Sequence, residues 1–295
     1  MMPPEISTRV FSPMFPAIEP ALTTQFDANA GALWISQHPK NRRVQNMSRE
    51  TLAALQDILE QVGRHDPHWH DTGSERPVHY LVLRSEHPRH FNLGVDLEYL
   101  LGCLEKREAA ALQRYATQLM GTIYQWATQW NGEATTIALV QGRALGAGFE
   151  MALSADHVVA EEHAEFGFPE IVYGLFPGNG AMSLLGRRVG LATAQRLMQS
   201  GRVYGAAELM ELGVIDQVCP SGRGEAVVRE FIHEHAQRRG ARLALQRARM
   251  RMQPLDRAEF DEVVADWLET ASRLEARQLH MLQSMLRMQR SDSTH

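Results

Sequence analysis

An apolar stretch that runs into glycine-opened backbone and then meets a glutamate sets the tightest limit on this chain. Ile137-Ala-Leu-Val140 is continuously apolar, Gly142, Gly146 and Gly148 follow, and Glu150 arrives where a helix should begin to pack. A second acid, Glu170, comes 20 positions later in Phe166-Gly-Phe-Pro-Glu170. Burying an ionisable acid costs several kcal/mol unless it is paired, hydrogen-bonded or neutralised. A fold that places two such acids beside glycine-rich backbone is better explained by use than by storage.

The surrounding pattern specifies the fold class. Ala32–Ile35, Val78–Leu83, Thr135–Val140 and His157–Ala160 read as strands. Helical segments lie between them. Ser48 is placed to cap a helix that runs to Gly63 with Leu52, Leu55, Leu59 and Val62 on one face, and a further helical segment fills about 97–129. Residues 64–76 read as a loop. Strands alternating with helices imply crossover units and a largely parallel sheet, an α/β fold. Beyond residue 190 the chain turns mostly helical. Leu191–Gln199 and Ala206–Leu212 stop at Gly201 and Gly213, and Val214–Val218 is a short extended return. From Gly224 to Arg290 helix is broken at Pro254, Asp256 caps the next segment, and Val263, Trp267, Leu274 and Leu279 form its buried side. Three parts are expected: a proline-rich N-terminal arm (1–22), a core (23–200) and a helical C-terminal region (201–295). The long terminal helices need a surface to cover, on the core or on a neighbouring subunit. No internal repeat is visible.

Composition excludes several function classes. A net charge of −5 over 295 residues argues against general nucleic-acid binding. No run of about 18 apolar residues suggests a membrane span, and the N-terminus lacks the basic-then-apolar pattern of a secretory leader. Cys103 and Cys219 form no disulfide framework, so a reducing cytoplasm is the expected location. Of the 30 basic residues only Lys40 and Lys106 are lysine, a bias that reads as genome composition.

Two loops could supply catalytic amides. In Phe91-Asn-Leu-Gly-Val-Asp96, Gly94 permits a turn and Asp96 can cap the next helix, which leaves the Val95 N–H free near a helix start. The Gly142–Phe149 loop offers the Ala147 N–H in the same way. Two such donors aimed at one point make an oxyanion hole for a thioester or ester carbonyl. Two ordinary strand-to-helix turns are the other reading.

Together, Gly142-Arg-Ala-Leu-Gly-Ala-Gly-Phe-Glu150, Phe91-Asn-Leu-Gly-Val-Asp-Leu97, Gly167-Phe-Pro-Glu170 and Gly174-Leu-Phe-Pro-Gly178 resemble the crotonase (enoyl-CoA hydratase/isomerase) superfamily over about residues 25–290. The resemblance implies a spiral of ββα units with a helical C-terminal region, and trimers or dimers of trimers. It implies an oxyanion hole from the Val95 and Ala147 amides, and Glu150 and Glu170 as the catalytic pair. It implies no cofactor and no metal. Phe91-Asn-Leu-Gly94, Ala160-Glu-Glu162, Phe166–Gly178, Trp267-Leu-Glu-Thr-Ala271 and Met288-Gln-Arg290 are most similar to the diffusible signal factor synthases of bacterial quorum sensing. That group implies dehydration of 3-hydroxyacyl-(acyl carrier protein) to a cis-2-enoyl thioester, hydrolysis to a free cis-2-unsaturated fatty acid, and contact with a sensor-kinase receiver domain. Val95 stands where the group has glycine, Ala147 interrupts a glycine run, and Asn179 and Met182 also depart from the pattern. The alternatives are an enoyl-CoA hydratase of fatty-acid metabolism and a catalytically inactive regulatory binding protein.

An acyl chain needs an apolar tunnel, for which Leu145, Phe149, Met151, Phe168, Leu175, Phe176, Met182 and Trp267 are candidates beside Gly94, Gly146 and Gly148; each also suits plain core. His65-Asp-Pro-His-Trp-His-Asp71 lacks the rigid spacing of a metal site. Glu161-Glu-His163 reads as a solvated turn. Arg187-Arg188 and Arg238-Arg239 could face an acidic carrier protein.

Overall fold

The computed structural model describes residues 6–10, 20–38, 44–71, 73–130 and 132–292, with no side chains described for 6–10 or 292. A seven-stranded sheet runs in the order Ile6–Val10, Leu22–Asp27, Ala32–Gln37, Tyr80–Ser85, Thr135–Val140, His157–Glu161, Gln217–Cys219. Its first three strands pair antiparallel, and every pairing from Ala32–Gln37 onward is parallel. The Thr135–Val140 strand sits inside the sheet and is buried throughout, which is why its sequence is apolar on both alternating faces. Leu33, Ile35, Leu81 and Leu83 point into the larger core, whereas Trp34, Tyr80, Val82 and Leu139 face the helix Gly224–Ala236 on the other side.

A second sheet of four short strands lies in the order Val203–Gly205, Glu165–Gly167, Arg143–Leu145, His90–Asn92. Three strands of the large sheet each lead directly into one of the small sheet: Tyr80–Ser85 into His90–Asn92, Thr135–Val140 into Arg143–Leu145, and His157–Glu161 into Glu165–Gly167. A helix follows each time, at Leu97–Lys106, Ala147–Leu153 and the 3-10 turn Pro169–Tyr173. This is the expected ββα spiral, and its repeat is structural even though none shows in the sequence. The turn that closes each unit holds Gly94-Val95, then Gly146-Ala147, then Phe168–Glu170. Val95, Ala147 and Glu170 therefore lie at matching turns of three successive units, and Glu150 lies in the helix that follows the second.

Local signals were mostly legible. Ser48 caps Arg49–Val62 by accepting from Thr51 N at 3.2 Å, and Gly63 ends that helix. Asp256 caps Arg257–Ser272 through Ala258 N at 3.0 Å. Other expectations need correction. The stretch read as a loop at 64–76 contains a hairpin, His68–Asp71 with Ser74–Pro77. The helical segment 97–129 is two helices, Leu97–Lys106 and Ala109–Thr128, parted where Arg107 adopts φ +58°. In the C-terminal region breaks also fall between Gly224–Ala236 and Arg239–Met252, and before Ala276–Asp292. The buried stripe of Arg257–Ser272 is Phe260, Val264, Trp267 and Ala271, so Val263 lies one position off it. Of the N-terminal arm, Ile6–Val10 is an edge strand, while residues 1–5 and 11–19 lie outside the described residues. No helix among the described residues is long and apolar enough to cross a membrane.

Candidate active site

Glu150 sits in the first turn of Ala147–Leu153 and has no exposed surface. Its Oε1 accepts from the backbone N–H groups of Asn179 at 2.8 Å and Ala181 at 3.1 Å, and its Oε2 accepts from Asn179 Nδ2 at 2.7 Å. Burial pushes its pKa up to about 7, against the pull of those three donors. Glu170 follows Pro169 in the 3-10 turn and is 6% exposed. Its Oε2 is buried with no hydrogen-bond partner among the described residues. Burial first, and the charge of Glu150 second, push its pKa up to about 8. The same causes keep the buried Tyr173 phenol protonated.

The two amide-bearing turns touch one another and the second acid. A Cβ at Gly94 would stand 2.7 Å from Leu145 O and 3.2 Å from Ala147 N. A Cβ at Gly146 would overlap Glu170 Oε1, and Gly146 has φ +51°, so glycine is required there twice over. Gly148 packs on the backbone of Asn92. Among the described residues no group accepts from the Val95 or Ala147 N–H. The Val95 turn is tied down on all sides. Asn92 Oδ1 accepts from Gly94 N at 2.8 Å, and Asn92 Nδ2 donates to Gln37 Oε1 at 2.8 Å. Met47 N donates to Gly94 O at 2.8 Å. The Tyr115 hydroxyl donates to Met47 O at 2.8 Å and accepts from Asp96 N at 2.9 Å.

A narrow cavity opens beside this turn, lined by Val95, Tyr115, Ala116, Leu119, Gly178, Asn179 and Trp267. Its free interior is about 10 Å³, room for no more than one water. Of the apolar tunnel candidates only Trp267 borders it. Phe149 stacks on Phe168 at 4.8 Å between centroids and meets Phe166 at 5.1 Å; with Met151 and Leu175 these rings fill the core. Leu145 and Met182 are half-buried, and Phe176 lines an open groove with Leu274 and Gln278. Sequence reasoning missed Tyr115, Ala116 and Leu119, which come from a helix with no motif. Asn179 stood out only as a departure from a family pattern.

Other signals find structural roles. Glu161 is buried and accepts from Gly222 N and Gly224 N, so it anchors the start of a helix and is no solvated turn. Arg187 is engaged by Glu259 and Pro254 O, and Arg188 by Asp216 and Ala155 O, so neither is a free cation for a carrier protein. Arg239 donates to Glu133 O, while Arg238 is exposed. Among the described residues no group of three or more His, Cys, Asp or Glu could hold a metal ion, at 65–71 or elsewhere.

Comparison with known proteins agrees with the fold. The chain is similar to a probable enoyl-CoA hydratase of Mycobacterium avium, 32% identical over 194 residues, which are 65% of this chain and 66% of that protein. It thus spans just under two thirds of that relative's length. A Mycobacterium tuberculosis counterpart is 31% identical over the same share of this chain. Among solved structures, an enoyl-CoA hydratase from Bacillus halodurans superposes with TM-score 0.70 at 21% identity, covering 90% of this chain and 99% of that one. DspI of Pseudomonas aeruginosa superposes with TM-score 0.60 at 23% identity, covering 84% and 91%. The enoyl-CoA hydratase/isomerase family pattern matches residues 41–291, and with that span of the crotonase spiral matched, the chain belongs to the enoyl-CoA hydratase/isomerase family.

Proposed function

We propose that the protein adds water reversibly across the double bond of a 2-enoyl thioester, with Glu150 and Glu170 as the proton-transfer pair. The observation that carries this is the unequal pair itself: two buried carboxyls, one held by three donors of another segment and one with an oxygen that has no partner among the described residues, beside two amides with no acceptor among them. The thioester carbonyl accepts from the Val95 and Ala147 N–H groups, which stabilise the enolate oxygen as charge develops. One such donor contributes about 3 kcal/mol to a barrier. The Glu150 carboxylate takes a proton from water as its oxygen bonds to C3, and protonated Glu170 delivers its proton to C2. Dehydration is the reverse, with the pair's proton on Glu150. Two nearby carboxyls do not ionise together easily, which keeps one proton on the pair near neutral pH. No cofactor enters this chemistry. The family match and the curated relatives support a CoA thioester as substrate. The exposed apolar side chains Ile171, Val172, Val203 and Leu191 support a homo-oligomer.

The test is hydration of 2-enoyl-CoA thioesters by purified protein. Glu150→Gln and Glu170→Gln should each lower kcat/KM by about 10²–10⁴-fold. Absence of hydration, or unchanged turnover in either variant, overturns the assignment.

A second reading rests on Phe91-Asn-Leu-Gly94 and Phe166–Gly178: a signal-factor synthase that dehydrates a 3-hydroxyacyl-(acyl carrier protein), then hydrolyses the thioester, and answers to a sensor-kinase receiver domain. The family match and the relatives favour the hydratase. A free cis-2-unsaturated acid in lipid extracts of a host expressing the wild type, absent with Glu150→Ala, would reverse that preference.

A further inference from the structure

We propose that the Asn179 side chain is a positioning residue that divides labour within the glutamate pair, leaving Glu150 a single open acceptor site and Glu170 the mobile proton. This rests on the hydration reading above.

The argument begins with the count of acceptor sites. Glu150 Oε1 accepts from two backbone N–H groups, Asn179 at 2.8 Å and Ala181 at 3.1 Å, which fills both of its lone-pair directions. Any residue at those positions would supply these bonds. The third donor, Asn179 Nδ2 at 2.7 Å from Oε2, belongs to the side chain alone. Only the NH₂ end of an amide can face a carboxylate oxygen, so the orientation of Asn179 is fixed. One position on Oε2 remains. A water accepted by Glu150, and the proton later taken from it, must both use that position. Nδ2 has no acceptor capacity, so it holds the carboxylate and cannot receive its proton.

The lock is enclosed. Asn179 is buried, and its neighbours Gly178 and Gly180 lie flat against the rings of Trp267 and Phe260, which leave no room for a side chain at either position. The amide also borders the cavity beside Val95. Across the site Glu170 is held by no other segment among the described residues: its carboxyl meets only its own backbone N–H, and its buried Oε2 is unpartnered. Three donors on one acid against only its own backbone N–H on the other make the first the carboxylate and the second the acid.

Asn179→Ala and the near-isosteric Asn179→Leu remove the side-chain donor to Glu150 and leave the backbone donors at 179 and 181 in place. The acid limb of kcat/KM for crotonyl-CoA hydration should move up by about one pH unit in both, with kcat near pH 7 down about tenfold and KM within about twofold. The Glu150 carboxyl titration, read by infrared difference spectroscopy against Glu150→Gln, should move up equally. An unmoved limb and an unmoved titration overturn the proposal, even if melting temperature or KM changes, since those follow from a cavity wall alone. If the wild type hydrates no thioester yet the titration moves, the hydration reading fails and the hold of Asn179 on Glu150 stands.

Discussion

Glu150 and Glu170 share a residue type, a first-turn position on a short helix and near-complete burial, yet the fold treats them oppositely. One is seated in three hydrogen bonds contributed by a single loop. The other sits over a bare glycine, with an oxygen that has no hydrogen-bond partner among the described residues. Burial raises the proton affinity of both; three donors from another segment then pull Glu150 back, against a single backbone N–H on Glu170. The lesson is that the role of a buried acid is set by the segment that packs on it, here 178–181, more than by its own helix.

The largest expected effect would break the Glu170 side alone. Gly146→Ala forces a methyl group onto Glu170 Oε1 and strains a left-handed backbone. A misplaced acid of this kind should lower kcat by about 10²-fold or more, while infrared titration of Glu150 stays put. Equal displacement of both acids would erase the contrast.

A smaller effect sharpens it through stability. The folded-state pKa of Glu170, about 8, lies above its unfolded value, so its contribution to stability is full below the unfolded pKa and is lost as pH rises through 8. Glu170→Gln escapes that loss, so its melting temperature relative to wild type should climb between pH 5 and pH 9. Glu150→Gln instead exchanges three bonds to a carboxylate for bonds to a neutral amide, with Asn179 turning its Oδ1 to the new NH₂ group, at a cost of about 1–3 kcal/mol. It should melt below Glu170→Gln at every pH in a calorimetric series. The reverse order would mean the three bonds do not hold Glu150 as described. Smallest of all is Val95→Ala: the amide persists, so hydration rates should stay within about threefold. A larger drop would shift the role from the backbone donor to the valine side chain.

What the sequence made legible was local. Ser48, Asp96 and Asp256 announce helix starts because a capping oxygen lies within three residues of its donor. Gly146 and Glu150 stand out because a glycine run beside an acid is costly without purpose. Glu161 was misread because its donors, Gly222 and Gly224, lie 61 and 63 residues away. The cavity wall was misassigned for a different reason. Phe149, Met151 and Phe168 are apolar in the same way as Tyr115, Ala116 and Leu119, and hydrophobicity alone does not tell a core from a pocket lining. Asn179 carried no local signal: its partner is 29 positions back, in another ββα unit.

The packing of Phe260 and Trp267 on the glycines that flank Asn179 has a consequence for how the molecule comes into being. Synthesis proceeds from the N-terminus, and early segments can fold before late ones emerge from the ribosome. Glu150 and both turn amides are made more than a hundred residues before Trp267, and Glu170 is made 97 residues before it. Until that tryptophan docks, the 178–181 loop lacks the surface that presses it onto Glu150. The order of the pair therefore arrives with the C-terminal helices, and a copy made only as far as residue 200 carries both acids and both amides without the surface that arranges them.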